Sequence, residues 1–331
     1  MGTASWTPAT ISQALRVGTE IASYERAAEV FTSLTSVPLS KSSLHRMVGV
    51  YGGQLVEQQT AEATAMVQVP SKEEGKIAWR QRVTPASETM SLSHDGVMMH
   101  LIKEGWKEVK IVSIAAVTRK RNPESGEFEV KLTQQSYRAG LWDAATFTNQ
   151  QWAEAERRGI PQAKRLACVA DGAHWIWQLV LTCFSPCFEI LDWWHATQRL
   201  WTIANLAFDD SQLATQWVEQ QKKLLAHSQL RHLFANIRLL YPKPSLLPEP
   251  VRQAFVYLFT NRRRMDYARF RQEGLPIGSG TVESACKVVV QARFKQAGMR
   301  WSRHGAQALL ALRCALLSRR WTDTCHSLSL T

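Results

Sequence analysis

Apolar residues recur at helical spacing through the start of the chain and change to strand spacing from Met90 onward. Ile11, Ala14, Leu15 and Gly18 share one helical face; Tyr24, Ala27, Ala28, Phe31 and Leu34 repeat the spacing, and so do Leu44, Met47, Val48 and Tyr51. Three short amphipathic helices are expected. TSVPLS separates the last two, with Pro38 as the breaker and Ser40 as the cap. Lys41, Ser42, Ser43, His45 and Arg46 make the third helix polar on its other face. That pattern suits a helix-turn-helix entering a DNA groove, and equally a small bundle without DNA contact. Residues 55–88, polar and then marked by Pro70, Ser71 and Pro85, read as a helix running into a linker.

Met90 to Leu101 reads as a strand and Lys107 to Val117 as a second. After the turn chemistry of RKRNPESGE, Phe128, Val130 and Leu132 alternate with charged residues, completing an antiparallel meander. A helix follows over Ala144 to Arg158, stopped by Gly159 and Pro161. Leu166–Ala170 and Phe188–Leu191 are apolar on both faces and end at Asp171 and Asp192, with a helix over Ala173 to Cys183 between them. Such runs are parallel strands joined by a crossover helix. The chain is then helical to about Leu240, passes YPKPSLLPEP, is helical again through Phe270, and reaches EGLPIGSG and a helix carrying Glu283. The expected fold class is α/β: a mixed sheet with elements in the order βββαβαβ, a glutamate helix, an all-helical insertion and an amino-terminal helical segment.

A chain of 331 residues with 45% hydrophobic content can bury a large core, and its net charge of +12 favours a polyanionic partner over an acidic metabolite. Its six cysteines lack disulfide-scaffold spacing, and Cys183 and Cys187 have no second pair at zinc-finger distance. A reduced, cytoplasmic protein is expected. MGTASWTPAT does not read as a signal peptide, and Trp175 to Leu191, interrupted by Gln178, Pro186 and Glu189, falls short of a membrane span. Gly278-Ser279-Gly280 is followed by no Gly-Lys-Ser/Thr, so no nucleotide loop is present.

The chemistry concentrates in three acids beside glycine or small residues: Asp95 in HDGVMMH, Asp171 in VADGAHWIW and Glu283 in GSGTVESACK. A buried carboxylate costs several kcal/mol unless cations or donors compensate it. Three converging in a basic protein imply a magnesium site that cuts or joins phosphodiesters. Each also has a structural reading. Asp95-Gly96 can be a hairpin turn, Asp171 a helix cap, and Glu283 a first-turn residue paired with Lys287. Asp192 and His195 are a further pair, with a capping Asp and partly buried His as the plain alternative. Lys287, Arg293, Lys295, Arg300 and Arg303, interleaved with Phe294 and Trp301, read as a DNA-binding track. NRRRM at 261–265 reads as salt-bridged surface, and Trp175, Trp177, Trp193 and Trp194 as mostly core.

HDGVMMH, VADGAHWIW, ILDWWHATQRLW and above all LPIGSGTVESACKVVVQARFKQAGMRWSRHGAQALLALR resemble the ISKra-four family of bacterial insertion-sequence transposases, related to Mutator-like elements. The likeness runs over roughly residues 20–322. It implies an RNase H-like fold with an Asp, Asp, Glu metal triad, matched by Asp95, Asp171 and Glu283, and two magnesium or manganese ions. It also implies double-stranded DNA as substrate, at element ends and target, and a homo-oligomer working on paired ends. The family's C/D-x2-H signature matches Asp192 and His195; from its place at the start of the next helix, beside the strand ending at Asp192, His195 is expected to hold a phosphate or orient the scissile strand. The expected organisation is a DNA-binding helical segment and linker over 1–88 and a catalytic domain over 89–331 with its insertion at about 196–275. Family members commonly carry a longer amino-terminal region with cysteine pairs, whereas no cysteine here precedes Cys168. An inactive or truncated copy acting as a DNA-binding repressor is the alternative.

Overall fold

The structure is a computed structural model that describes residues 6–68, 84–124, 128–243, 247–278 and 280–330. Three helices open it: α1 (Pro8–Glu20), α2 (Tyr24–Thr35) and α3 (Lys41–Gln68). Thr7 caps α1 just ahead of Pro8, which enters the first turn without a missing donor. Ser40 caps α3, accepting from the Ser43 N–H at 3.1 Å. α3 is not short: its 28 residues join the expected third helix and the helix expected from residue 55 into one. Residues 69–83 of the expected linker lie outside the described residues.

Five strands follow: β1 (Thr89–Leu101), β2 (Gly105–Arg121), β3 (Phe128–Gly140), β4 (Arg165–Ala170) and β5 (Phe188–Leu191). They form a sheet in the order β3-β2-β1-β4-β5. β1, β2 and β3 pair antiparallel, while β1 with β4 and β4 with β5 pair parallel. α4 (Ala144–Arg157) follows β3, and α5 (His174–Phe184) makes the crossover from β4 to β5. This mixed α/β arrangement is compatible with an RNase H-like fold.

Alternation along β1 sends Met90 and Leu92 to one face, where they pack with Leu166, Cys168, Phe147, Ile176 and Val180 beneath α4 and α5. The other face is covered twice. Over β1 and β2 lie Val97, Met99, Val109 and Ile111, in one core with α1, α2, α3, α11 (Gly280–Ala285) and α12 (Arg303–Leu317). Over β4 and β5 lie Ala167, Val169, Ile190 and Leu191, in a separate core with α6 (Trp193–Ala207), α7 (Ser211–Ala226), α8 (Leu230–Leu240), α9 (Glu249–Thr260) and α10 (Tyr267–Gln272). The amino-terminal helices therefore share their core with the end of the chain. Lys41, Ser42, His45 and Arg46 remain exposed on α3. α13 (Trp321–Ser327) closes the chain.

Candidate active site

The pairing of the three parallel strands ends in register. His94 pairs with Ala170, and Ala170 with Leu191; the next residues along these strands are Asp95, Asp171 and Asp192. Neighbouring strands stand about 4.8 Å apart. Three carboxylates thus follow one another across the carboxyl edge of the sheet, where ligand sites of open sheets gather. The row sits at the seam between the two helical layers.

Glu283 arrives from α11. The Trp193 N–H donates to the Ile277 carbonyl at 3.0 Å, which ties the loop before α11 to the start of α6. Ser279 in that loop lies outside the described residues. Ligand atoms of Glu283, Asp192 and His195 lie within 4.8 Å of one another. The expected trio of Asp95, Asp171 and Glu283 forms no group that tight; Asp95 and Glu283 instead line one cleft of about 360 Å³ with Cys286, Lys287, Gln291 and Lys295. After Glu283 the helix widens into a π-helical turn, Cys286–Gln291, a feature frequent at functional sites.

Asp95 is not a turn residue: it sits within β1, opposite Ile111. Its Oδ1 accepts from the Gly96 N–H at 2.7 Å and its Oδ2 from the Cys286 thiol at 3.1 Å. Burial raises its carboxyl above the ordinary range, and Asp171 adds to that; the Cys286 and Gly96 bonds and His195 oppose it. A Cβ on Gly96 would lie 2.2 Å from Glu108 Oε1, the end of a side chain that can move aside. Asp171 Oδ1 accepts from the Ala173 N–H at 2.9 Å, so it does steady the start of α5. The Gly172 N–H donates to the Tyr257 hydroxyl at 2.9 Å, and a Cβ on Gly172 would lie 2.3 Å from the Tyr257 ring.

Asp192, 1% exposed, caps α6. It accepts from the His195 N–H at 2.9 Å and lies 2.8 Å from His195 Nδ1. That hydrogen bond raises the His195 pKa against the opposing effect of burial, and the charges of Asp192, Asp171 and Asp95 raise it further. Glu283 is not paired with Lys287. Among the described residues, no Lys or Arg forms an ion pair with Asp95, Asp171 or Glu283.

The expected DNA-binding track divides. Lys287, Lys295 and Arg300 are exposed, the two lysines at the cleft. Arg303 is committed to Glu104, with Nε 3.0 Å from Oε2, and to the Leu141 carbonyl. Arg293 does not belong to the track. It is 1% exposed, donates to the Gly18 carbonyl at 3.3 Å and lies against both the Tyr24 and Trp301 rings, at 4.5 and 5.2 Å from their centroids. Its place on the inner side of the widened helix makes it a core cation joining α1 and α2 to the end of the chain. Trp194 is likewise not core but 58% exposed. In the 261–265 cluster, Arg264 pairs with Glu189 at 2.7 Å.

Two neighbours of the acids escaped the sequence reading. Cys286 falls three residues after Glu283, and helical spacing could have put it beside the site. Tyr257, on α9, carries no local signal, because only the tertiary fold brings it to Gly172.

Among the described residues, no helix is long and apolar enough to cross a membrane. No family model and no curated protein matches the chain. Among solved structures it is similar to the Drosophila P element transposase strand transfer complex, at 10% identity and a TM-score of 0.32, over 97% of this chain and 81% of that one.

Proposed function

We propose that the chain is a DNA transposase that cleaves at the ends of an insertion sequence and joins the freed 3′-hydroxyl to target DNA. One observation carries the reading: Asp95 within β1, and Asp171 and Asp192 just after β4 and β5, each follow the last parallel pair of their strand in register; Glu283 shares a cleft with Asp95 and lies close to Asp192; and among the described residues no lysine or arginine pairs with Asp95, Asp171 or Glu283. The resemblance of the GSGTVES to GMRWS stretch to ISKra-four transposases supports it, as does the net charge of +12.

The donor set fits divalent magnesium or manganese. It consists of hard carboxylate oxygens, and burial with like charge holds the Asp95 carboxyl above its ordinary range, a strain that a cation would relieve. Asp95, Asp171 and Glu283 would hold the ions, which when bound activate the attacking oxygen and stabilise the leaving one. The chain's own groups do the rest. Asp192 fixes the His195 ring through Nδ1, leaving Nε2 for a DNA oxygen. The Cys286 thiol orients the Asp95 carboxylate. Lys287 and Lys295 would offset phosphate charge at the cleft, and exposed residues of α3 would add to DNA contact. Because joining involves two ends, the working form would be a homo-oligomer on DNA.

The test is to incubate the full chain with duplexes flanking its gene and a supercoiled target plasmid, in Mg²⁺ or Mn²⁺. Nicks at a defined end and covalent joining to the plasmid are expected. A DNA-binding repressor would retain the duplex without nicking it, and a nuclease would nick without joining.

A further inference from the structure

α6 carries a second charged side chain on the face of His195. Arg199 lies four residues after His195, on the same helical face. Its guanidinium stacks over the Tyr257 ring at 4.5 Å, and the hydroxyl of that ring accepts from the Gly172 N–H beside Asp171. The guanidinium therefore lies against the same ring that holds the residue after Asp171. Yet Arg199 makes no ion pair or hydrogen bond with any described residue, and its Nε is buried without a partner. Other partly buried arginines near carboxylates behave differently: Arg157, Arg264 and Arg320 are all paired.

A guanidinium stacked on the ring that bonds the residue after Asp171, and bonded to no described residue, is held by that ring instead. Cation–π stacking on Tyr257 fixes the orientation of the planar fork. What remains free is a set of N–H donors in the geometry that matches two phosphate oxygens. Resting on the transposase reading above, we infer that Arg199 is a phosphodiester-binding residue. It grips non-bridging oxygens of the DNA strand lying across the acid row, and Tyr257 of the helical insertion sets its orientation.

The experiment is a methylphosphonate walk, in which each phosphate around the cleaved position is made neutral in turn. It is read by kcat/KM for cleavage and by metal-free binding anisotropy, with wild type, Arg199→Ala, Arg199→Gln and Arg199→Lys. A charge-assisted hydrogen bond of about 1.5–3 kcal/mol corresponds to a roughly 10- to 100-fold fall in kcat/KM on removal. Lysine, a point charge without the fork, should restore only part. One methylphosphonate should weaken wild type and leave Arg199→Ala indifferent, with thermal unfolding of the variants unchanged. Equal sensitivity of wild type and Arg199→Ala at every phosphate would overturn the inference, even if the variant is slow, because a merely structural residue gives that result. Should wild type bind DNA but never cleave it, the transposase reading fails, and the binding arm still decides whether Arg199 contacts a phosphate.

Discussion

Two groups of buried acids in this molecule have opposite electrostatics. Glu154, on α4, is fully buried, and burial alone would raise its pKa; Arg320 at 2.7 Å and Arg157 at 3.1 Å, with Arg138 nearby, reverse this and hold it at about 2. Arg157 also pairs with Glu62, so the network ties α3 and α4 to the end of the chain. Asp95 is half-buried, and its carboxyl moves the other way, raised by burial and by Asp171. Its compensation comes from a thiol and a backbone N–H rather than from an arginine. Where the acid serves the fold, the chain supplies the counter-charge. At Asp95, Asp171 and Glu283 no described lysine or arginine supplies it, and Arg199 is stacked on Tyr257 instead.

The largest expected effect sharpens that contrast. Asp95→Asn and Asp171→Asn should each reduce Mg²⁺-dependent cleavage by about a thousandfold or more, since a metal ligand contributes several kcal/mol of transition-state stabilisation. DNA binding by anisotropy should persist. Thermal unfolding of Asp95→Asn should be unchanged or higher, because the substitution removes a partly desolvated like charge. A variant that lost binding and stability together would mark Asp95 as structural.

Glu154→Gln should do the reverse. Leaving Arg320, Arg157 and Arg138 without their shared carboxylate should cost about 3–5 kcal/mol in urea denaturation. The pH dependence has a definite sign. A carboxyl whose folded pKa is about 2 against an ordinary 4.5 contributes stability that is complete above pH 4.5 and is lost as pH falls through about 2. Wild type should therefore lose stability over that window, and Glu154→Gln should lose about 3 kcal/mol less across it. Identical acid titrations of the two proteins would remove Glu154 from its assigned part in the fold.

The two Asp-Gly steps refine the comparison at smaller scale. In Gly172→Ala the new Cβ meets the Tyr257 ring at 2.3 Å, a rigid group fixed by its hydrogen bond, so overpacking of about 1–3 kcal/mol is expected. In Gly96→Ala the clash at 2.2 Å is with the end of the Glu108 side chain, which can rotate away, and the cost should stay below about 1 kcal/mol. Chemical denaturation of the two variants reads the difference, and equal costs would mean that Tyr257 is not anchored.

Much of this was legible in the sequence because the signals are local. Continuous apolar runs ending in Asp171 and Asp192 mark β4 and β5 to within a residue, and alternation from Met90 marks β1. The length of α3 was only partly legible: Gln, Glu, Thr and Ala at 55–68 mark a helix running into a linker without showing that it continues the helix from Lys41, and Leu55 and Ala63 pack within that one helix. Arg293 was misread for a related reason. Spacing among basic residues does not reveal which one the helix turns inward, and the widened turn at Cys286–Gln291 shifts the helical phase of Ala292, Arg293 and Phe294. Tyr257 and Arg199 were invisible because their meaning lies in a contact between elements far apart in the chain.

The smallest effect concerns the thiol. Cys286 donates to Asp95 Oδ2 at 3.1 Å, and burial, reinforced by the Asp95 charge, pushes its pKa well up, so it stays a neutral donor. One such bond is worth about 1 kcal/mol, or roughly fivefold. Cys286→Ala should therefore leave the fold and DNA binding intact while raising the Mg²⁺ concentration for half-maximal cleavage by about that factor. Cys286→Ser, which keeps a donor, should recover most of it. If alanine and serine behave alike in the Mg²⁺ titration, the cysteine is only filling space beside the acids, and the row relies on the Gly96 N–H alone to orient Asp95.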